Sequence, residues 1–257
     1  MLEIPYNGSS VLTSSICMNK FKTNNLLRKN GFLTPKSLLV RKSNWLKNKS
    51  KQLENIQKKL KYALITKPHD DGCSVLVDKS KTKEELSKKI NDYFLTNKNL
   101  IMIEECITGI ELTVGVIGNN KPTALPPSQS VAKKDILTIE EKFLPGEGEN
   151  QTPASLPEKD IKIIKKEMEQ IYSFLNCRGY ARLDCFYNVK SKQVTLIEVN
   201  SLPGLTPATC LFHQGAEIGI KPMELIDKIV EFGFEEHLKQ INIIEQNKVK
   251  QNIEFTN

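Results

Sequence analysis

Tyr180-Ala181-Arg182-Leu183-Asp184-Cys185-Phe186-Tyr187 and Gln193-Val194-Thr195-Leu196-Ile197-Glu198-Val199, running on into Asn200, decide how this chain is read. Both segments have strand character, and Asn188 to Lys192 between them makes a hairpin the simplest arrangement. The two-residue period of a strand puts Arg182 and Asp184 on one face, and Glu198 and Asn200 likewise on one face. A turn centred near Ser191 sets Asp184 opposite Glu198. Two carboxylates directly opposite repel. A face carrying Arg, Asp, Glu and Asn is what a divalent cation with a phosphate requires, because magnesium takes one or two carboxylates plus substrate phosphates. A solvated face with an incidental salt bridge fits the same spacing, and spacing alone leaves the two readings even.

Directly after this strand comes Asn200-Ser201-Leu202-Pro203-Gly204-Leu205-Thr206-Pro207, a tight loop. A glycine there permits close backbone approach and an N–H aimed at a developing oxyanion, although a plain Pro-Gly turn has the same composition. Further upstream, Ala63 to Thr66 is a strand ending at Lys67-Pro68, before the loop His69-Asp70-Asp71-Gly72-Cys73-Ser74. From that strand end an ammonium reaches a phosphate while loop N–H groups close over it. Taken alone, Lys67 reads more simply as an exposed lysine, since the Gly-Lys-Ser/Thr order of a phosphate loop is missing. Glu104 and Glu105 close another apolar strand, Leu100 to Ile107, and are either a hydrated strand end or a hinge that binds an adenine edge.

The remaining segments supply the frame. Met1 to Ser15 reads as turn-rich, Ile16 to Asn30 as a helix stopped by Gly31, and Ser37 to Val40 as a strand. Asn44 to Lys61 is expected to be one exposed lysine-rich helix, and Thr82 to Asn97 a helix opened by a Thr82/Glu85 capping box. Glu111 to Gly118 is a strand turned back by Asn119-Asn120, and within Pro122 to Pro153 only Asp135 to Phe143 has strand character. Ser155 with Glu158 reads as a second capping box, before a core stripe of Ile161, Ile164, Met168, Ile171 and Leu175. Pro222 to Phe232 is a last helix, and Glu235 to Asn257 a polar, frayed tail.

Composition bounds the function. The chain has 257 residues, 39% hydrophobic and 26% charged, within the soluble globular range. Its mean hydropathy is −0.36. No run approaches the roughly 18 apolar residues of a spanning helix, and no apolar signal core opens the chain, so a cytoplasmic protein without membrane contact is expected. The net charge of +7 suits an anionic ligand such as a nucleotide, but the lysines are scattered among glutamates, and nucleic acid is not expected as a partner. Six cysteines without a CxxC pair and three histidines without ligand spacing leave a hard cation held by oxygen as the metal to expect.

Taken in order, these segments resemble the ATP-grasp superfamily and, within it, the D-alanine–D-alanine ligases. The matching pieces are Ile4-Pro5-Tyr6-Asn7-Gly8-Ser9, Met18-Asn19-Lys20, Lys67-Pro68 with Asp71-Gly72-Cys73-Ser74-Val75, Glu104-Glu105 with Gly109 and Glu111, Glu140-Glu141-Lys142-Phe143, Ala181-Arg182-Leu183-Asp184, and Ile197-Glu198-Val199-Asn200 running into Leu202-Pro203-Gly204-Leu205-Thr206. The resemblance implies an α+β fold in which two subdomains, residues 15–105 and 106–233, grip ATP between their sheets. Residues 1–14 would then be the remnant of a missing N-terminal substrate subdomain, and 234–257 a tail.

The resemblance also assigns roles. Lys20, Lys67, Ser74, Glu104, Ile107, Glu111, Lys142 and Ile197 would contact ATP. Asp184, Glu198 and Asn200 would hold magnesium or manganese. Arg182, the N–H of Gly204 and Lys142 would steady the acyl phosphate and the tetrahedral intermediate. Cys73, Phe143, Leu202 and Thr209 would line the substrate site. Three positions depart from the family: Cys73 stands where a serine is usual, Leu76 where a glycine is common, and Phe143 where many members have tyrosine. The implied activity is ATP-dependent ligation of D-alanine or a related substrate for peptidoglycan synthesis, incomplete without the N-terminal subdomain; a homodimer or a separate N-terminal subdomain is the macromolecular partner to expect. A catalytically impaired ATP-binding module, or a ligase for another substrate pair, fits the same segments.

Overall fold

The computed structural model describes residues 4–71, 76–131, 149–206 and 209–254. Its strands form two antiparallel sheets, each backed by helices, which is the expected α+β class. The first sheet has β1 (Ser37–Arg41), β4 (Leu100–Glu105), β2 (Leu64–Lys67) and β3 (Asp78–Ser80) in that spatial order. Helices α3 (Lys42–Lys47), α4 (Lys49–Lys59) and α5 (Lys83–Leu95) cover one side of it. Trp45, Ile56, Leu86 and Ile90 are buried there against Ile101 and Ile103, so apolar burial holds the layer together.

The second sheet runs β10 (Gln193–Asn200), β9 (Tyr180–Asn188), β5 (Ile110–Ile117), β7 (Ser128–Val131), β8 (Glu149–Gln151), with β6 (Thr123–Ala124) also on β5. Its core receives Ile164, Met168, Ile171 and Tyr172 from α6 (Glu158–Phe174). It also receives Cys17 from α1 (Val11–Met18) and Leu27 from α2 (Lys20–Lys29). The two N-terminal helices therefore precede the first sheet in sequence but pack on the second. Helices α7 (Cys210–Ala216) and α8 (Pro222–Glu254) close the far side, where Leu211, Leu225 and Ile229 meet Ile117, Leu125 and Tyr180. No helix among the described residues is long and apolar enough to cross a membrane.

The chain passes from one sheet to the other between Glu105 and Ile110. Gly109 sits in that crossing at φ +155, and a Cβ there would stand 2.6 Å from the Tyr187 carbonyl oxygen. Only glycine fits so close an approach.

Several local expectations are corrected. The turn-rich reading of residues up to Ser15 gives way to α1, because the Ser10 hydroxyl accepts from Thr13 N at 3.2 Å and opens a helix. Asn19 then ends α1 and caps α2 through its side chain, so the single helix expected from Ile16 is two. Asn48 does the same between α3 and α4, and Trp45 is buried rather than exposed. Ser155 forms no capping box: Pro157 takes the N-cap place at φ −57, and Glu158 pairs with Lys162 at 2.7 Å. The Thr82/Glu85 box is real in part, with Thr82 Oγ1 accepting from Glu85 N and Glu85 reaching back to Lys81 N rather than to Thr82 N. The strand expected at Asp135 to Phe143 lies outside the described residues. The polar tail is helical as far as Glu254, in register with the last expected helix.

Candidate active site

The hairpin of β9 and β10 brings the charged residues together, by a route the spacing did not predict. Pairing runs regularly from Gln193↔Asn188 to Leu196↔Cys185, so the turn is centred earlier than Ser191. That register alone would set Ile197 opposite Asp184. A β-bulge between Leu196 and Glu198 adds one residue to β10, and beyond it Glu198 faces Asp184 and Asn200 faces Arg182. Burial follows the change of parity: Val194 and Leu196 are buried before the bulge, and Val199 after it. The expected pairing therefore stands, for a different reason.

Each carboxylate of the pair already has cationic company. Arg182 donates from Nε to Asp184 Oδ1 at 3.1 Å and from Nη2 to Oδ2 at 2.9 Å, and stands 3.9 Å from Glu198. Lys20, at the start of α2, reaches Glu198 Oε2 at 2.8 Å and donates to the Asp71 carbonyl at 2.6 Å. Lys20 thus ties the loop after β2 to the second sheet. Burial would raise the Glu198 carboxyl, but Lys20, with Lys67 and Arg182, outweighs it and holds the group at about 2. Asp184, foremost, holds the Arg182 guanidinium above its ordinary range against the opposing effect of burial. Asn200 Nδ2 completes the group with a bond to Asp184 Oδ2 at 3.3 Å.

Lys67 is not the exposed strand end that its context suggests. It is buried and pairs with Glu104 at 2.6 Å. The register explains why, since Glu104 faces Ile65 and Lys67 lies two residues on, on the same face. The second oxygen of Glu104 is buried and has no partner among the described residues, and so offers an acceptor. Glu105 points elsewhere and accepts from Lys61 N at 3.2 Å.

The loop after β10 is more open. Leu202 is 61% exposed and Gly204 is exposed. Thr209 donates its hydroxyl to the Thr206 carbonyl at 2.7 Å, so this hydroxyl is engaged locally. Ile107 and Glu111 are half-buried, at the crossing and at the start of β5. Ser74, Cys73, Lys142 and Phe143 lie outside the described residues.

Three supporting residues escaped the sequence reading. Thr113, opposite Asp184 on β5, donates to Asp184 Oδ1 at 2.9 Å. Gln214 on α7 is fully buried; it accepts from Gly115 N at 2.8 Å and donates to the Thr113 carbonyl and the Ser128 hydroxyl. Asn24 on α2 donates to the Ile197 carbonyl at 3.2 Å. The only available signal was a polar residue on an otherwise apolar face, which does not name the partner.

The donor set suits a hard cation. Two carboxylates and an amide oxygen share one face, matching magnesium or manganese in number and kind, with Arg182, Lys20 and Lys67 beside them, each paired with a carboxylate. Among the described residues no group of three or more His, Cys, Asp or Glu side chains forms a metal cage.

Two antiparallel α+β layers with a charged cleft built from both define the ATP-grasp fold. The family described as "D-ala D-ala ligase C-terminus" matches residues 26–231. The chain is 32% identical over 237 residues to the D-alanine–D-alanine ligase of Geobacillus thermodenitrificans, covering 92% of this chain and 65% of that protein. The solved D-alanine–D-alanine ligase of Coxiella burnetii superposes with a TM-score of 0.79 at 25% identity, over 98% of this chain and 66% of that one. The Bacillus anthracis ligase, solved in complex with ATP, gives 0.73 at 26% identity over 93% and 74%. This chain belongs to the D-alanine–D-alanine ligase family. It spans slightly less than two thirds of the length of the Geobacillus relative.

Proposed function

We propose that the chain is an ATP-dependent carboxylate–amine ligase of the D-alanine–D-alanine type, working through an acyl phosphate, with ATP and magnesium bound between residues 15–105 and 106–233. The observation that carries this reading is the Asp184/Glu198/Asn200 face, flanked by Lys20, Lys67 and Arg182 from both sheets. It is supported by a family relative solved with ATP. Magnesium, when bound, would supply charge neutralisation at the phosphate oxygens. Asp184, Glu198 and Asn200 would hold it. Lys20 and Lys67 would turn to the phosphates, and the second oxygen of Glu104 would accept from the adenine amine. Arg182 would steady the transferred phosphoryl group and the N–H of Gly204 the oxyanion, so catalysis rests on positioning and charge. Ile107, Glu111, Ile197 and Ser74 complete the nucleotide contacts in this reading. Lys142, Phe143, Cys73, Leu202 and Thr209 belong to the closing loop and the substrate side.

Calorimetric titration with ATP, with and without magnesium, tests the site: magnesium-enhanced binding is expected, and Asp184→Asn should abolish the enhancement. Equal binding in the presence and absence of magnesium would remove the cation site. D-alanine-dependent phosphate release tests the ligase step. Release at background with D-alanine and with related amino acids, also when the remaining part of the longer relatives is supplied in trans, would leave only a nucleotide-binding module.

A further inference from the structure

We infer that Asn24 is a positioning residue that holds the β-bulge at Ile197 and thereby sets Glu198 opposite Asp184. The inference deepens the cation-site reading of Asp184, Glu198 and Asn200 and rests on it. Asn24 sits in the middle of α2 and is fully buried. Asparagine is a poor choice for a helix interior, and burying its amide costs free energy unless it is bonded. Yet among the described residues its one side-chain bond runs from Nδ2 to the Ile197 carbonyl at 3.2 Å, and Oδ1 has no partner. A residue kept only for stability would be better served here by an apolar side chain.

The bond falls where the ladder is irregular. Ile197 is the one residue of β10 between Gln193 and Asn200 without a partner on β9. In a regular ladder Glu198 would face Leu183, and its carboxylate would point to the side where Val194 and Leu196 are buried. The outer edge of β10 is pinned on both sides of that point: Leu196 N donates to the Leu33 carbonyl at 2.9 Å, and the Ile197 carbonyl accepts from Asn24. Lys20, one helical turn before Asn24, holds Glu198 itself at 2.8 Å. Successive turns of one helix face therefore address successive residues of β10, the first by charge and the second by geometry.

The full chain tests this with Mn2+ as the probe, its binding followed by electron paramagnetic resonance with and without ADP, and with ADP affinity measured in metal-free buffer. Asn24→Leu removes the donor at similar volume. Asn24→Ser is small enough to be housed at this position if leucine prevents folding. In both variants Mn2+ affinity in the presence of ADP should fall by at least about tenfold, the range for residues that orient metal ligands from behind. Metal-free ADP affinity, read chiefly through Lys67 and Glu104, should fall much less than Mn2+ affinity, by no more than the share that the Ile197 contact contributes. Parent-like Mn2+ affinity in the variants overturns the inference. So does a loss of metal-free ADP binding in step with Mn2+, which marks a general loss of structure. A parent chain that shows no Mn2+ binding with ADP overturns the cation site itself, and that outcome is separable because it needs no variant.

Discussion

Replacing Glu198 by glutamine should flatten the acid limb of the protein's stability. In the folded chain Lys20, Lys67 and Arg182 overcome the effect of burial and hold the Glu198 carboxyl at about 2, against an ordinary 4.5. A carboxyl depressed by folding stabilises the fold fully above about pH 4.5, and this contribution is lost as pH falls toward 2. At about 1.36 kcal/mol per pH unit the difference corresponds to roughly 3 kcal/mol. The side chain is 20% exposed, and solvent screening reduces the expected effect to about 2 kcal/mol. Urea unfolding of the parent and of Glu198→Gln at steps between about pH 7 and about pH 2.5 measures it. Glu158, Asp160 and Glu235, also lowered by their lysine or amide partners, titrate alike in both proteins and cancel in the difference. Over that range the parent should lose about 2 kcal/mol more than the variant, nearly all of it below about pH 4.5. Lys20→Met should shrink this loss and end it at a higher pH, because releasing the carboxyl from its nearest cation brings its folded-state value back toward 4.5. Parallel stability curves for parent and Glu198→Gln would refute the assigned ion-pair geometry.

Lys67→Met should destabilise the fold by about 3 kcal/mol by stranding buried Glu104, and the Lys67→Met, Glu104→Met double change should recover much of that, as read by urea midpoints. Gly115→Ala should cost about 1–3 kcal/mol in the same assay, because its Cβ would stand 2.5 Å from Leu211 Cδ1 and 2.7 Å from Gln214 Oε1. Gln214→Leu leaves the Gly115 N–H and the Thr113 carbonyl without their side-chain partner and should cost about 1–3 kcal/mol; wild-type stability would show that water replaces the amide.

What was legible in the sequence was whatever depends on local period. The alternation in Tyr180 to Tyr187 and the three-and-four spacing from Ile164 to Leu175 identified a strand and a helix that the fold contains. The charged face of the hairpin was legible for the same reason. The bulge was not, because a turn shifted one way and a bulge shifted the other lead to the same pair of carboxylates, and only the parity of Leu196 and Val199 distinguishes them. Lys67 was underrated because its partner Glu104 lies on a different strand, and antiparallel registry between segments that far apart is a tertiary fact. Asn19 and Asn48 were missed as helix breaks because asparagine serves equally as a cap and as an ordinary surface residue. The helical course of the tail to Glu254 escaped because its polar composition carries no apolar stripe of the usual strength.

Three of the cations around the cleft, Lys20, Lys67 and Arg182, are each bonded to a carboxylate, Glu198, Glu104 and Asp184. Among the described residues these three pairs cancel, so they add little net field at a distance. In the proposed site a magnesium–nucleotide complex would meet an exchange of partners: its cation would take up the carboxylates while its phosphates took up the ammonium and guanidinium groups. Such a site gathers its ligand by diffusion and local rearrangement, with little long-range electrostatic pull. The association rate should therefore change little between low and physiological ionic strength, unlike that of a cleft with unpaired lysines, and recognition would be expressed mainly in how slowly the re-paired complex comes apart.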